Sequence, residues 1–471
     1  MLKSILKKYN DVPDALKATL WFVICNVVQK GVSLLTTPIF TRIMTTQEYG
    51  EYTLYSSWYQ VISIFATLNL FYGVYNNGMT KFSDDRKSFT SSLQGLCTAI
   101  TVLWFLVYIV AKDFWNDLLG MSTLYMLTMF AELLMVPAFN FWSASQRYDY
   151  RYKSLVGVSV LISCVSPIIG FIAVINTTYK AEARVLSIAM VQIIIGLILY
   201  ILNMMRGKTF FSKKYWKFAL AFNIPLIPHY LSSMILGHAD RIMIGAMVGK
   251  SEAALYSVAY NIALMMNIVI SAVNASFTPY MYKSIKSKNY APFRKMVNLL
   301  VLLMGALSVG VMTVGPELIN IVGSKDYADA IGVIPPVAAS TFFMFLYPIF
   351  SNVEFYYEKT KFIMVASCAG ALLNIALNYL LIPILGYYAA AYTTLLCYII
   401  YVFVHYLFSR RICKVQGINN SLFDIKRVLL ISLFVLIIVF MIPLLYPYFW
   451  CRDLLQWCHS LSNKIQVLEI Q

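Results

Sequence analysis

Thirteen apolar stretches, each of about 20 residues, dictate what this chain can become. They run approximately 18–40, 53–75, 89–111, 121–142, 155–175, 184–205, 218–237, 254–278, 296–316, 332–353, 362–384, 387–408 and 428–450. A helix of about 20 residues is long enough to cross the hydrocarbon core of a bilayer. In lipid every backbone N–H and C=O needs an internal partner. That leaves helices and closed barrels, and these stretches are too long for barrel strands. With 60% hydrophobic residues, 12% charged and a mean hydropathy of +0.70, a water-soluble fold could not hide the apolar surface. The expected class is an all-α integral membrane protein.

Lysine and arginine set the expected orientation. With the N-terminus cytoplasmic, 27 of the 37 Lys and Arg fall in inward segments and 9 in outward ones, while Lys30 lies inside the first stretch. The bias alternates at almost every loop. The net charge of +16 therefore reads mainly as an insertion signal, with some attraction to anionic headgroups of the membrane lipids. No single basic face exists to follow a phosphate backbone, so nucleic acid is not an expected partner. The eight cysteines show no C-x-x-C or metal spacing. No Gly-rich nucleotide loop and no Ser-His-acid set is recognisable, so neither a cofactor nor an enzymatic reaction is expected.

Two stretches resemble each other. Thr41 to Val61 reads TRIMTTQEYGEYTLYSSWYQV, and Asp240 to Ile262 reads DRIMIGAMVGKSEAALYSVAYNI. Each has Arg-Ile-Met at the outer end of a span, a short polar loop, then Leu-Tyr-Ser-x-x-Tyr opening the next. The first closes span one and the second closes span seven. An offset of six spans implies two six-helix lobes in parallel orientation, a plan that places a substrate site between halves. The expected division is an N-lobe over 1–205, a cytoplasmic linker over 206–217, a C-lobe over 218–408 and an extension over 409–471. The extension holds one further span. Its polar tail places Leu454, Cys458, Leu461, Ile465 and Leu468 on one helical face, suited to the outer membrane surface.

Polar residues fall in rows along the first two helices of each half. Asn26, Lys30, Ser33 and Thr37 share a face of span one, Ser56, Gln60, Ser63 and Thr67 of span two, and Asn267, Ser271, Asn274 and Thr278 of span eight. Span seven carries His229, Ser233 and Asp240, after Pro225 and Pro228, which should break or kink it. Such rows either glue helix to helix or line a hydrated cavity. An ammonium group at the depth of Lys30 costs on the order of 3 kcal/mol, so it is expected to face a wet interior and hold an anion. Glu132 either neutralises Lys30 as a structural pair or serves gating and coupling with Asp240. Arg147 and Arg151 lie at the expected cytoplasmic mouth, and Arg42 and Arg241 at the outer one. Arginine grips phosphate with two parallel hydrogen bonds, so these cations suit a phosphate or pyrophosphate path. His405 reads as interfacial. In the repeat register His229 stands where Lys30 stands, each 12 residues before its arginine. The two are expected to form a basic pair.

TPIFTRIMTTQEYGEYTLYSSWYQV resembles the first-to-second helix signature of Wzx-like polysaccharide and O-antigen flippases, the polysaccharide transporter branch of the superfamily that contains MATE exporters. Arg42 and Glu48-Tyr49-Gly50-Glu51-Tyr52 carry the likeness, with HADRIMIGAMVGKSEAALYSVAYNI and Gln146-Arg147 in support. The resemblance covers approximately 15–410. It implies a MATE-like fold of two six-helix lobes around a central cavity, in a bacterial cytoplasmic membrane. It implies a polyprenyl-pyrophosphate-linked oligosaccharide as substrate, flipped to the outer leaflet by alternating access, with a polysaccharide polymerase and a chain-length regulator as further partners. Lys30 is the position that carries over to the cationic pyrophosphate site. The family has twelve or fourteen spans, where thirteen are counted here. A MATE-type antiporter for drugs or organic cations is the alternative, but it wants buried acids where this chain has a central base. A polysaccharide polymerase fits less well, since it needs a large outward loop.

Overall fold

The structure is a computed structural model that describes residues 13–418 and 422–446. The basic residues before Pro13, the amphipathic tail, and Cys451 and Cys458 lie outside the described residues. In chain order the helices are α1 (Asp14–Ile43), α2 (Thr46–Thr67), α3 (Gly73–Lys81), α4 (Arg86–Val110), α5 (Lys112–Leu119) and α6 (Thr123–Tyr148). There follow α7 (Tyr152–Ile175), α8 (Lys180–Gly207), α9 (Lys213–Asn223), α10 (Ile227–Met247), α11 (Lys250–Ala263) and α12 (Met266–Ser287). The last are α13 (Tyr290–Thr313), α14 (Gly315–Val322), α15 (Ile334–Tyr356), α16 (Thr360–Leu385), α17 (Tyr388–Val415) and α18 (Ile425–Leu445).

No strand occurs among the described residues. Eleven helices there are long and apolar enough to cross a membrane, or twelve if α11 and α12, bent by 44°, form one span. Each expected stretch holds a long helix. The second, α2, has 22 residues but is not among those apolar enough to count, because of its polar and aromatic load. It ends earlier than expected, where Leu68 and Asn69 both take positive φ. The Asn223 side chain donates to the Leu68 carbonyl freed there. Pro225 and Pro228 act as expected: a 3-10 turn, Ile224–Leu226, separates α9 from α10. The basic stretch after residue 206 suits either a surface helix or a plain loop by sequence. From Lys213 it is helical and runs into the seventh span.

Packing divides the chain into two compact units. The first comprises residues up to 254 together with 364–387, and the second comprises 255–363 with the residues from 388 onward. Helix α10, placed by sequence in the C-lobe, therefore packs with the first unit, as does most of α16. In the first unit α6 packs on α8, α7 on α1 and α8, and α10 along α2. Gly196 lets α8 approach α6: a Cβ there would sit 2.6 Å from the Met135 carbonyl oxygen. Asn203 pins the same seam, donating to Gln94 Oε1 at 2.9 Å and the Ala138 carbonyl at 3.2 Å. In the second unit α15 is the centre, packed by α13, α17 and α18. It buries residues all round its circumference, as a helix surrounded by helices should.

Candidate functional site on the first helices

Helix α1 buries Cys25 and Phe40 and leaves Asn26, Lys30 and Ser33 exposed, flanked by Val23, Val27 and Leu34. The apolar neighbours suit the bilayer, and the polar row interrupts them. The hydroxyl of Thr37 donates to the Ser33 carbonyl one turn back at 2.8 Å, which satisfies it within the helix. Asn26, Lys30 and Ser33 make no side-chain hydrogen bond or ion pair among the described residues. Lys30 thus offers three free donors. On α2, Gln60 is exposed in the same way, while Ser63 and Thr67 bond back to carbonyls of their own helix.

Glu132 does not neutralise Lys30. It is 3% exposed in α6, and the Tyr55 hydroxyl from α2 donates to its carboxyl at 2.5 Å. Asp240 is likewise engaged: Asn378 Nδ2 donates to it at 2.7 Å, and Asn378 also reaches Asn374 at 3.4 Å. His229 stands half-buried on α10, its Nδ1 buried without a hydrogen-bond partner. No hydrogen bond joins Lys30 and His229 among the described residues. Their helices both neighbour α2 in the first unit. Ser33 is exposed where Ser232 is buried, a further departure from repeat symmetry.

The repeat does hold at its arginines. Arg42 Nη1 donates to the Pro38 carbonyl at 2.8 Å, and Arg241 Nη1 to the Gly237 carbonyl at 2.8 Å. Each guanidinium bonds a carbonyl one turn back; Arg42 does so in the last turn of its helix, where positive charge is favourable, and Arg241 further inside its own. Arg42 is exposed and Arg241 is 7% exposed, so only the first can face an open mouth. Arg147 and Arg151 are both exposed, the latter 4.0 Å from Asp149. Asn267 and Asn274, on α12 in the second unit, each have a buried side-chain oxygen without a hydrogen-bond partner.

The signature loop builds a joint. Thr45 and Glu48 form a reciprocal capping box at the start of α2, at 3.2 and 2.7 Å. Gly50 then faces the main chain of Lys250, and a Cβ at that position would collide with the Lys250 carbonyl. Glu51 pairs with Lys250 Nζ at 2.9 Å, and Thr46 donates to Ser251 at 3.2 Å. The two repeat elements are thus bonded directly. Gly50 belongs to the signature, but its role is invisible in the sequence, because the contact spans 200 positions of chain.

Three buried groups escape a reading of the sequence. Arg184, which counts by sequence with the outward loops, is 7% exposed in α8, its guanidinium carbon 3.5 Å from the Phe40 ring centroid and 5.2 Å from that of Tyr52. Glu354 falls one residue beyond the expected end of its span, yet it is wholly buried in α15. His405, expected at the interface, is 0% exposed within the protein and bonded to Glu354 at 2.8 Å, and α17 continues ten residues past it.

The family profile described as polysaccharide biosynthesis protein matches residues 15–285, more than half of the chain. The chain belongs to the polysaccharide biosynthesis protein family. A second profile, MatE, matches residues 225–380. An Lsg locus protein of Haemophilus influenzae is 30% identical over 209 residues, 41% of this chain and 50% of the relative. The chain spans about half the length of the curated relatives it matches. Among solved structures it is similar to the lipid II flippase MurJ in an inward closed conformation, with TM-score 0.65 and 18% identity over 91% of this chain and 93% of the other. A MOP superfamily transporter from Pyrococcus furiosus gives TM-score 0.61 and 12% identity over 86% and 96%. At these identities the likeness establishes the fold, which is the all-helical MATE and MurJ type expected for this family.

Proposed function

We propose that this protein flips a polyprenyl-pyrophosphate-linked oligosaccharide from the cytoplasmic to the outer leaflet of a bacterial inner membrane. The movement is alternating access, with the N-terminus cytoplasmic, and the product feeds surface polysaccharide assembly of the O-antigen or capsule type. A polysaccharide polymerase and a chain-length regulator are its expected downstream partners. Lys30 holds the pyrophosphate, aided by Asn26 and by Gln60 on the neighbouring helix. The observation that carries this reading is the open Lys30 ammonium on a polar, exposed row of a membrane helix, while Glu132 is taken by Tyr55. A cation without a protein counter-ion in a membrane span is suited to an anionic headgroup. A MATE-type cation antiporter would want free acids in these helices, and Glu132 and Asp240 already have hydrogen-bond donors.

The test is complementation of a strain lacking the protein, scored by surface glycan and by membrane insertion. A hydrogen bond to a charged group is worth about 1.5–3 kcal/mol. At about 1.4 kcal/mol per tenfold, Lys30→Ala should cost roughly 10- to 150-fold in substrate affinity. Lys30→Glu should abolish export, and Lys30→Arg should retain part of it. Normal glycan from an inserted Lys30→Glu protein refutes the reading.

A further inference from the structure

Glu354 and His405 form an acid–base pair with no exposed surface, Nδ1 to Oε1 at 2.8 Å, joining α15 to α17 in the second unit. Glu354 Oε2 and His405 Nε2 are also buried, and neither has a hydrogen-bond partner. Around them stand mainly rings. Tyr401 is edge-on to the imidazole at 4.5 Å, and Tyr347 and Phe362 lie at 5.8 Å. On the pair's own helices the phenols of Tyr347 and Tyr401 lie against the imidazole, while Tyr356 and Tyr406 and, toward the end of α17, Arg410, Arg411, Cys413 and Lys414 are the further titratable or charged groups nearby in sequence. Helix α12 brings Tyr282, which packs on Tyr356. From α13 and from the segment before α18 come Phe293 and Phe423, the latter on Phe350. Among the described residues the ion pair of Glu354 is with His405.

A buried pair of this kind is strongly favoured in its net-neutral forms, carboxylate beside imidazolium or carboxylic acid beside imidazole, because a net charge in a dry interior is expensive. Uptake of one proton gives carboxylic acid beside imidazolium, with charge +1. Release of one gives carboxylate beside neutral imidazole, with charge −1. Either step needs water at the two unbonded atoms, Oε2 and Nε2. A purely structural pin would have those atoms satisfied, since an unpaired buried polar atom costs about 1–3 kcal/mol. We propose that Glu354 and His405 form a proton-exchange site, which gains or loses one proton when the second unit opens to water and so links transport to a proton gradient. This inference rests on the transport reading above.

Two measurements test it separately. The purified full-length protein is titrated in detergent under infrared difference spectroscopy. The wild type should show the carbonyl stretch of a buried carboxylic acid that changes with pH. The band should be lost in Glu354→Gln and should titrate at a different pH in His405→Gln. If both variants merely unfold at lower temperature and the wild type shows no titrating carboxyl, the site is structural and the proposal fails. The second measurement uses proteoliposomes and a fluorescent sugar on a short prenyl pyrophosphate. An imposed pH gradient should accelerate flipping by the wild type, and Glu354→Gln should lose that acceleration while keeping gradient-free flipping. Flipping that ignores the gradient overturns the coupling and leaves the transport reading standing. A wild type that flips nothing overturns the transport reading, and the infrared titration then decides the proton site alone.

Discussion

Replacing Gly50 by alanine sets two effects of opposite sign against each other. Alanine is a better helix former than glycine by at most about 1 kcal/mol. In a membrane the gain is smaller still, since the span stays largely helical when tertiary contacts are lost. Against it stands the Lys250 main chain: a Cβ at position 50 would strike the carbonyl of Lys250 and lie 3.2 Å from its Cα. Backbone cannot swing aside as a side-chain tip can, so α2 and the start of α11 must part. Overpacking of this kind costs about 1–3 kcal/mol. Separation also strains the Glu51–Lys250 pair and the Thr46–Ser251 bond. The clash wins, and the net loss should be about 1–2 kcal/mol. At about 2.1 cal/mol/K per residue, 471 residues give roughly 1 °C per kcal/mol, so Tm should fall by about 1–2 °C. Gly31 is the control, since it sits in α1 where an added methyl would meet nothing within 4 Å, so Gly31→Ala should leave Tm unchanged or raise it. Both variants are scanned at one heating rate in one detergent. A Gly50→Ala protein that melts at or above the wild type, alongside Gly31→Ala, would show that the two repeat elements do not press together at this joint.

Tyr55→Phe removes the donor to a buried carboxyl and should destabilise by about 1–3 kcal/mol, read as a lower Tm, with Tyr125→Phe nearby costing less because its acceptor Glu51 keeps Lys250. Thr45→Ala deletes the cap of α2 and should cost about 1 kcal/mol; a loss no larger than that of an exposed loop substitution would deny the capping box its role. The Glu51–Lys250 pair is partly exposed, with side-chain exposures of 23% and 40%. A double-mutant cycle of Glu51→Gln and Lys250→Gln should therefore give no more than about 1 kcal/mol, falling with added salt.

Helix content is readable from composition and length, because lipid permits few ways to satisfy a backbone. The repeat is readable too, and its arginines keep equivalent bonds to Pro38 and Gly237. The breaking of span seven follows from Pro225 and Pro228, whose chemistry is local. What the sequence does not carry is the choice of partners. Charge alone offers Glu132 to Lys30, but rotation and depth on α6 bring it to Tyr55. His229 shares a repeat position with Lys30, and no hydrogen bond joins the two among the described residues. A span boundary drawn one residue short hides Glu354, and a last-turn position gives no sign that His405 packs against it. Helix α17 runs on for another ten residues, about 15 Å, and its packing against α15 buries His405. Periodicity along one helix reports what each face can tolerate. Which face meets which depends on the packing of several helices at once, and that is where Lys30 stays open and Glu354 finds His405.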